Sequence, residues 1–287
     1  VTHECLMRGV AAVKPGLRVE RYDTTFHAVA LAGAVTDLEA ADTIYSGKAA
    51  LLYQLTPAGN VYVSYGSAAT PPGSANFALS AQPNNANNPN VDPQTSRNLE
   101  LGSKWELFGR RLSATAALFE TRNSNVIYTV DAAAVPPIFN QDDAQRLRGV
   151  TVGLVGQIAA RWNVTANVAL LDGRQRSQGP ALDGRRLILL PRWSGSAWGT
   201  YAAPRLTLGG GLRFQDRTFV NAANTIVTPA YYLVDALASY AVTPHIMLRA
   251  NIFNLTDARY IRSVNNNGGR YNPGLSRSLL VTTQIGF

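Results

Sequence analysis

Residues 278–287 read Ser278-Leu279-Leu280-Val281-Thr282-Thr283-Gln284-Ile285-Gly286-Phe287. Leu279, Val281, Thr283, Ile285 and Phe287 fall at every second position, and Ser278, Thr282, Gln284 and Gly286 fall between them, with Leu280 as the exception. A strand sends successive side chains to opposite faces, so this segment carries one apolar and one polar face. The same two-residue period recurs upstream. Ile246, Leu248, Ala250 and Ile252 alternate with Met247, Arg249, Asn251 and Phe253. Tyr232, Val234, Ala236, Ala238 and Tyr240 alternate with Asp235 and Ser239. Leu206, Leu208, Leu212 and Phe214 alternate with glycines, Arg213 and Gln215. Val164, Ala166, Val168 and Leu170 alternate with Thr165 and Asn167, and Val150, Val152, Leu154 and Ile158 with Thr151, Gly153 and Gln157.

The connections carry a second pattern. Tight turns stand at Thr56–Asn60, Phe108–Arg110, Ala160–Trp162, Ala202–Pro204 and Val242–Pro244. Long polar segments cover 23–44, 69–95, 122–146, 173–191, 218–230 and 254–276, and the two kinds alternate strictly. About twelve strands result: 15–22, 45–55, 61–68, 96–107, 111–121, 147–158, 164–174, 192–201, 206–217, 231–240, 245–253 and 276–287. Short turns at one end and long loops at the other are the topology of an antiparallel up-and-down transmembrane β-barrel. A soluble β-sandwich or propeller also alternates. Against that alternative stand the strand lengths, the ordered turns, and a polar face of Gly, Ser, Thr, Arg and Gln that suits a lumen better than a packed core. Residues 1–14 read as a tail and 15–287 as barrel.

Composition agrees. The 287 residues are 46% hydrophobic but only 15% charged, with a mean hydropathy of -0.05, against about 25% charge for soluble domains. No apolar run reaches the ~20 residues of a membrane helix. A closed barrel is the other spanning solution, because it leaves no backbone edge in lipid. The net charge is +8, yet the arginines are scattered and no nucleic-acid motif is present. Cys5 is the sole cysteine, which excludes an internal disulfide, and His3, His27 and His245 lie far apart in sequence. Val1–Val13 lack the apolar run of an export signal, so an exported protein would have lost one or begin upstream. Tyr232, Tyr240, Trp193, Tyr201, Trp105 and Phe287 fall near strand ends on the apolar face, where rings suit the headgroup level.

Asn254-Leu255-Thr256-Asp257-Ala258-Arg259-Tyr260 follows the penultimate strand. It resembles the Asn-Leu-Phe/Thr-Asp-x-x-Tyr motif of TonB-dependent receptors. Pro273-Gly274-Leu275-Ser276-Arg277 resembles the lead-in to that family's last strand, with Ser276 where Pro is common. Asn98-Leu99-Glu100-Leu101-Gly102-Ser103-Lys104 resembles its Asn-x-Glu-x-Gly-x-Lys strand, and the stretches around Phe119 and Asp235 resemble two more. The matches run in order from about Gly16 to Phe287. The loops at 69–95 and 263–274 look most like the catecholate-type branch. The terminal Phe287 with Leu279, Val281 and Ile285 is similar to the signal read by barrel-assembly machinery.

The resemblance implies a bacterial outer-membrane transporter for a ferric siderophore, not an enzyme. Iron would be present only within the ligand, and there would be no resident cofactor, metal or nucleic acid. Family members carry about 22 strands, a plug domain and an energy-coupling segment; no stretch here resembles the last two, and twelve strands match the C-terminal part of such a barrel. Import driven by TonB would act through that plug. Arg217, Arg259, Arg262, Arg270 and Tyr271, at or beyond the loop ends of strands, would offer charge and planar stacking to an anionic aromatic ligand. The same arginines would also suit lipopolysaccharide phosphates or plain solvation. A passive porin-like barrel and a soluble β-domain enzyme or lectin stay open as alternatives.

Asn254 and Asp257 read first as turn caps, because Asx side chains bond nearby backbone N–H groups. Gly209-Gly210-Gly211 lacks the Lys-Ser/Thr of a phosphate loop and reads as a place of curvature or close approach. Asp142-Asp143 reads as a solvated loop tip. The sequons at Asn163 and Asn254 read as accidental.

Overall fold

The computed structural model describes the chain except residues 1–4, 7–10, 75–77, 83–84, 86, 132–137, 177–181, 266–268 and 287; for 5–6, 127–131, 138–140 and 142–143 it describes backbone alone. Seventeen strands follow in order: β1 (Cys5–Leu6), β2 (Ala11–Val29), β3 (Val35–Thr56), β4 (Gly59–Thr70), β5 (Gln94–Leu107), β6 (Leu112–Asp131), β7 (Ile138–Ala159), β8 (Trp162–Arg176), β9 (Trp193–Ala202), β10 (Leu206–Gln215), β11 (Thr218–Phe219), β12 (Val227–Thr228), β13 (Tyr231–Ala241), β14 (Ile246–Phe253), β15 (Ile261–Val264), β16 (Tyr271–Pro273) and β17 (Ser278–Ile285). One antiparallel sheet of thirteen strands runs β1 through β10, then β13, β14 and β17. Apart from the two-residue β1, these are the twelve long strands expected, each paired with its neighbour in the chain. Among the described residues no pairing joins β2 to β17, so this sheet keeps two edges.

Register places the apolar positions in rows that cross the sheet. Val13, Leu51, Val63, Leu101, Leu118, Val150, Leu170 and Trp193 are consecutive cross-strand partners on one face. Ala116, Val152 and Val168 continue that face one step nearer the turns. Most of these side chains are open: Leu51, Val63, Leu101, Leu118, Val152 and Val168 rank among the exposed large hydrophobic residues. Among the described residues only Leu233 and Val220 are large side chains buried almost completely. A sandwich would cover this face with a second sheet. Here one layer carries its greasy side uncovered, and the soluble-sandwich alternative falls.

Aromatic rings mark both ends of the apolar face. Toward the tight turns, Trp162 and Tyr201 lie 5.1 Å apart, with Tyr240 paired to Leu206 nearby. Toward the loops, Phe214 and Tyr232 stack at 6.3 Å. From Tyr232 to Tyr240 the strand rises about 26 Å at ~3.3 Å per residue, or roughly 20 Å at a 40° tilt. That is close to the height of an outer-membrane apolar band. The expected girdle position of Phe287 lies outside the described residues, as do His3 and the Asp142 and Asp143 side chains.

Two expected loops are strand over most of their described residues. Residues 23–44 and 122–146 read as loops because polar residues occupy both faces there. The backbone nevertheless continues its ladders, from Glu20 paired with Ile44 out to Val29 paired with Val35, and from Arg122 paired with Arg146 out to Asp131 paired with Ile138. These ribbons rise beyond the apolar band, where neither face needs to be greasy. Gly33, at a φ of 82°, turns the first with the Gly33 N–H donating to the Ala30 carbonyl. The strand expected from residue 15, β2, begins at Ala11, which pairs with Tyr53. The alternation Val150–Ile158 breaks at Gly156, whose φ of 133° accompanies a register shift between Gln157 and Ala159.

Candidate functional site on the inner face and loops

The opposite face carries polar side chains. Tyr62 on β4 donates its hydroxyl to Glu100 of β5 at 2.6 Å, and the Lys104 ammonium lies 5.4 Å from the Tyr62 ring centre. The ring lies across Gly102, where a Cβ would approach it to 2.4 Å and force the ring to shift. Farther round, Arg213 of β10 pairs with Asp235 of β13 through Nη2 at 2.9 Å. The second carboxylate oxygen of Asp235 accepts the Asn254 backbone N–H at 2.8 Å.

Asn254 joins that pair to the last hairpin. It is 2% exposed, with a positive φ of 50° that Asn tolerates better than most residues. Its Nδ2 donates to the carbonyls of Ala258, at 2.9 Å, and Leu275, at 3.0 Å. Its Oδ1 accepts the Ala258 N–H at 2.9 Å. Asp257 accepts the Arg277 N–H at 2.8 Å, Leu255 N–H donates to Val234, and the Tyr260 ring covers Gly274 while standing 4.8 Å from Tyr231. The motif Asn254, Leu255, Asp257, Tyr260 is thus a clasp holding β13, β14 and the approach to β17 in one arrangement.

The loops brace one another above the wall. Asn224 accepts the Arg186 N–H at 2.7 Å and donates to its carbonyl at 3.0 Å, and Leu189 N–H donates to Phe219. Thr218 and Thr228 share a hydroxyl hydrogen bond across β11 and β12. A cleft of about 210 Å³ opens between these loops and β15, lined by Leu189, Gln215, Thr218, Thr228, Ile261 and Arg262. Of the five arginine and tyrosine candidates, Arg262 lines this cleft. Arg217 stands exposed just beyond β10, and Arg259 is exposed within the clasp loop. Arg270 and Tyr271 are exposed at the return of the β15–β16 hairpin, with Tyr271 paired to Val264. The five therefore decorate one loop region rather than converge on a single point. Leu279, Val281 and Ile285 of the assembly signal share the outward face of β17; Phe287 lies outside the described residues. Among the described residues no three of His, Cys, Asp and Glu gather as metal ligands would.

Two inner-face pairs, Tyr62 with Glu100 and Arg213 with Asp235, were not legible in the sequence. Their signal is a register, visible only once strands are paired.

The family described as TonB dependent receptor-like, beta-barrel, matches residues 12–255. The chain belongs to that TonB-dependent receptor barrel family. Among its relatives, the probable TonB-dependent siderophore receptor PiuA of Acinetobacter baumannii is 31% identical over 260 residues, covering 85% of this chain and 34% of PiuA. The catecholate siderophore receptor Fiu of Escherichia coli K12 is 30% identical over 304 aligned positions, covering 95% of this chain and 39% of Fiu. The chain thus spans between a third and two fifths of the length of these relatives. The closed-form crystal structure of Fiu, a ferric-catecholate import receptor, aligns with a TM-score of 0.85 at 28% identity over 98% of this chain and 43% of that one. The PiuA crystal structure also aligns at 0.85, with 25% identity, over 96% of this chain and 41% of PiuA's. The single antiparallel sheet is therefore the fold of a TonB-dependent receptor barrel wall.

Proposed function

We propose that this chain forms the C-terminal part of the barrel wall of a bacterial outer-membrane receptor that imports ferric siderophores, with catecholate ligands favoured. The observation that carries this is a single sheet with an uncovered apolar face between two aromatic levels and a polar face opposite, in a chain related to Fiu and PiuA. Hydrocarbon would satisfy the first face and an aqueous lumen the second. The wall binds and passes its ligand without making or breaking covalent bonds. Arg262 in the loop cleft, with Arg217, Arg259, Arg270 and Tyr271 around it, supplies cationic and ring surfaces to an anionic, aromatic iron complex. Energy would reach the ligand from TonB through a plug domain, to which no residue here is assigned. Leu279, Val281, Ile285 and Phe287 would present the last strand to barrel-assembly machinery.

The test is iron uptake. Cells stripped of their own catecholate receptors, and expressing the gene that encodes this chain, are expected to place it in the outer membrane. They are also expected to accumulate radioactive iron from a ferric tris-catecholate only while TonB is present. Recovery of the protein in the soluble fraction, or uptake indifferent to TonB, would overturn the proposal.

A further inference from the structure

The outward face changes character abruptly toward the loop end of β5–β8. Its highest apolar row is Leu101, Leu118, Val150, Leu170 and Trp193. One step higher stand Leu99, Glu120, Arg148 and Asp172, again direct cross-strand partners. The next row is Arg97, Arg122, Arg146 and Arg174. Four guanidiniums therefore lie side by side on four adjacent strands. Like charges directly opposite one another destabilise a sheet, so the row calls for anions. Glu120 supplies one, bonding Arg122, Arg146 and Arg148 together. Asp172 supplies another, to Arg174 and Arg186. Two carboxylates leave the two rows with a surplus of positive charge.

Two clefts meet here. The lower, of about 470 Å³, is lined by Leu99, Leu101, Leu118, Val150 and Leu170 together with Arg148 and Asp172. The upper, of about 230 Å³, is lined by Arg146, Arg174 and Arg176, and again by Arg148 and Asp172. An apolar groove thus runs directly into a cationic one. The boundary sits one residue pair, about 6.7 Å, above the row that ends in Trp193, which is where a headgroup begins once hydrocarbon covers the apolar rows.

We infer that this patch is a binding site for an acylated, multiply phosphorylated glycolipid of the outer leaflet. Its acyl chains would lie against Leu101, Leu118, Val150 and Leu170, and its phosphates would bridge Arg122, Arg146, Arg148 and Arg174. Guanidinium matches phosphate as a planar fork, and phosphate would complete the neutralisation that Glu120 and Asp172 begin. A free phosphate would meet the upper cleft alone; the contiguous apolar groove selects the lipid. The site is separate from the loop cleft around Arg262. The inference rests on the membrane reading proposed above, but its test is made in detergent and reads the patch alone.

The probe is fluorescent bis-phosphorylated lipid A, titrated into the chain in neutral detergent micelles. The chain with Arg122→Gln, Arg146→Gln and Arg174→Gln combined is expected to bind on the order of a hundredfold more weakly, since each basic residue near a lipid surface contributes about a factor of five. The matching Arg→Lys set is expected to keep most of the binding. Fully dephosphorylated lipid A is expected to bind the unaltered chain as weakly as the glutamine variant binds the probe, and inorganic pyrophosphate is expected not to compete. Equal binding of phosphorylated and dephosphorylated lipid by the unaltered chain would overturn the site even if the glutamine variant failed to fold. So would a folded glutamine variant with unchanged affinity. Full competition by pyrophosphate would make the patch a soluble-anion site and overturn the lipid.

Discussion

Asn254→Ala removes the centre of the clasp, and its cost can be worked bond by bond. The side chain gives two hydrogen bonds, to the carbonyls of Ala258 and Leu275, and accepts one from the Ala258 N–H. At 2% exposure, water does not replace these partners freely. A buried group left unpaired costs about 1–3 kcal/mol, and a carbonyl with a second lone pair sits at the low end. Three such losses amount to roughly 3 kcal/mol. Alanine must also hold the positive φ of 50° that Asn254 adopts, which adds about 1 kcal/mol. The expected destabilisation is therefore about 4 kcal/mol. Asn254→Gly loses the same bonds without the strain and should fall about 1 kcal/mol short of alanine. The assay is guanidinium unfolding of the chain in detergent micelles, followed by fluorescence of its four tryptophans, with limited proteolysis of residues 259–272 as the local readout. Alanine within 1 kcal/mol of the unaltered chain, or glycine no better than alanine, would refute the clasp.

Val152 lies at mid-height on the uncovered face, so Val152→Arg should cost about 2–4 kcal/mol in bilayers, whereas Thr151→Arg on the inner face should cost under about 1 kcal/mol; refolding yield into lipid vesicles separates them. Gly211→Ala would bring a Cβ to 2.2 Å from the Trp198 ring and 2.9 Å from the Ala197 carbonyl oxygen, at a cost of about 1–3 kcal/mol. Gly199→Ala meets nothing within 4 Å and should leave the unfolding midpoint within experimental scatter. Asp235→Ala strips Arg213 of its carboxylate and the Asn254 N–H of its acceptor, for about 2–3 kcal/mol. Asp235→Asn keeps an acceptor for the Asn254 N–H and should cost less than half as much by the same measurement.

The band-crossing part of the fold was legible because hydrocarbon demands one greasy face. Leu279, Val281 and Ile285 alternate for that reason, as do Leu206 and Leu208, and Pro57, Gly109 and Pro244 mark the turns between. Where that demand ends, the signal ends too. Thr24 and Thr25 are polar neighbours on opposite faces of β2, paired through backbone bonds that no alternation announces. The bulge at Gly156 was hidden because Val155 and Ile158 are apolar on either register. The clasp was half visible: Asn254 and Asp257 read as caps, but Asp235, Leu275 and Arg277 come to them from 19 to 21 residues away, depending on the pair. The row Arg97, Arg122, Arg146 and Arg174 looked like scattered charge, because only four consecutive ladders bring these residues to one level.

The most direct test of the account asks what covers the apolar face. With Cys5 replaced by Ser, single cysteines at Ala114, Thr115, Ala116, Ala117 and Leu118 would be spin-labelled in vesicles. Collision with oxygen, which concentrates in hydrocarbon, would be compared with collision with a water-soluble nickel chelate. The account predicts oxygen-rich signals at Ala114, Ala116 and Leu118 and chelate-rich signals at Thr115 and Ala117. Even-numbered positions shielded from both probes, as beneath a second layer of protein, or a profile without the two-residue period, would contradict it.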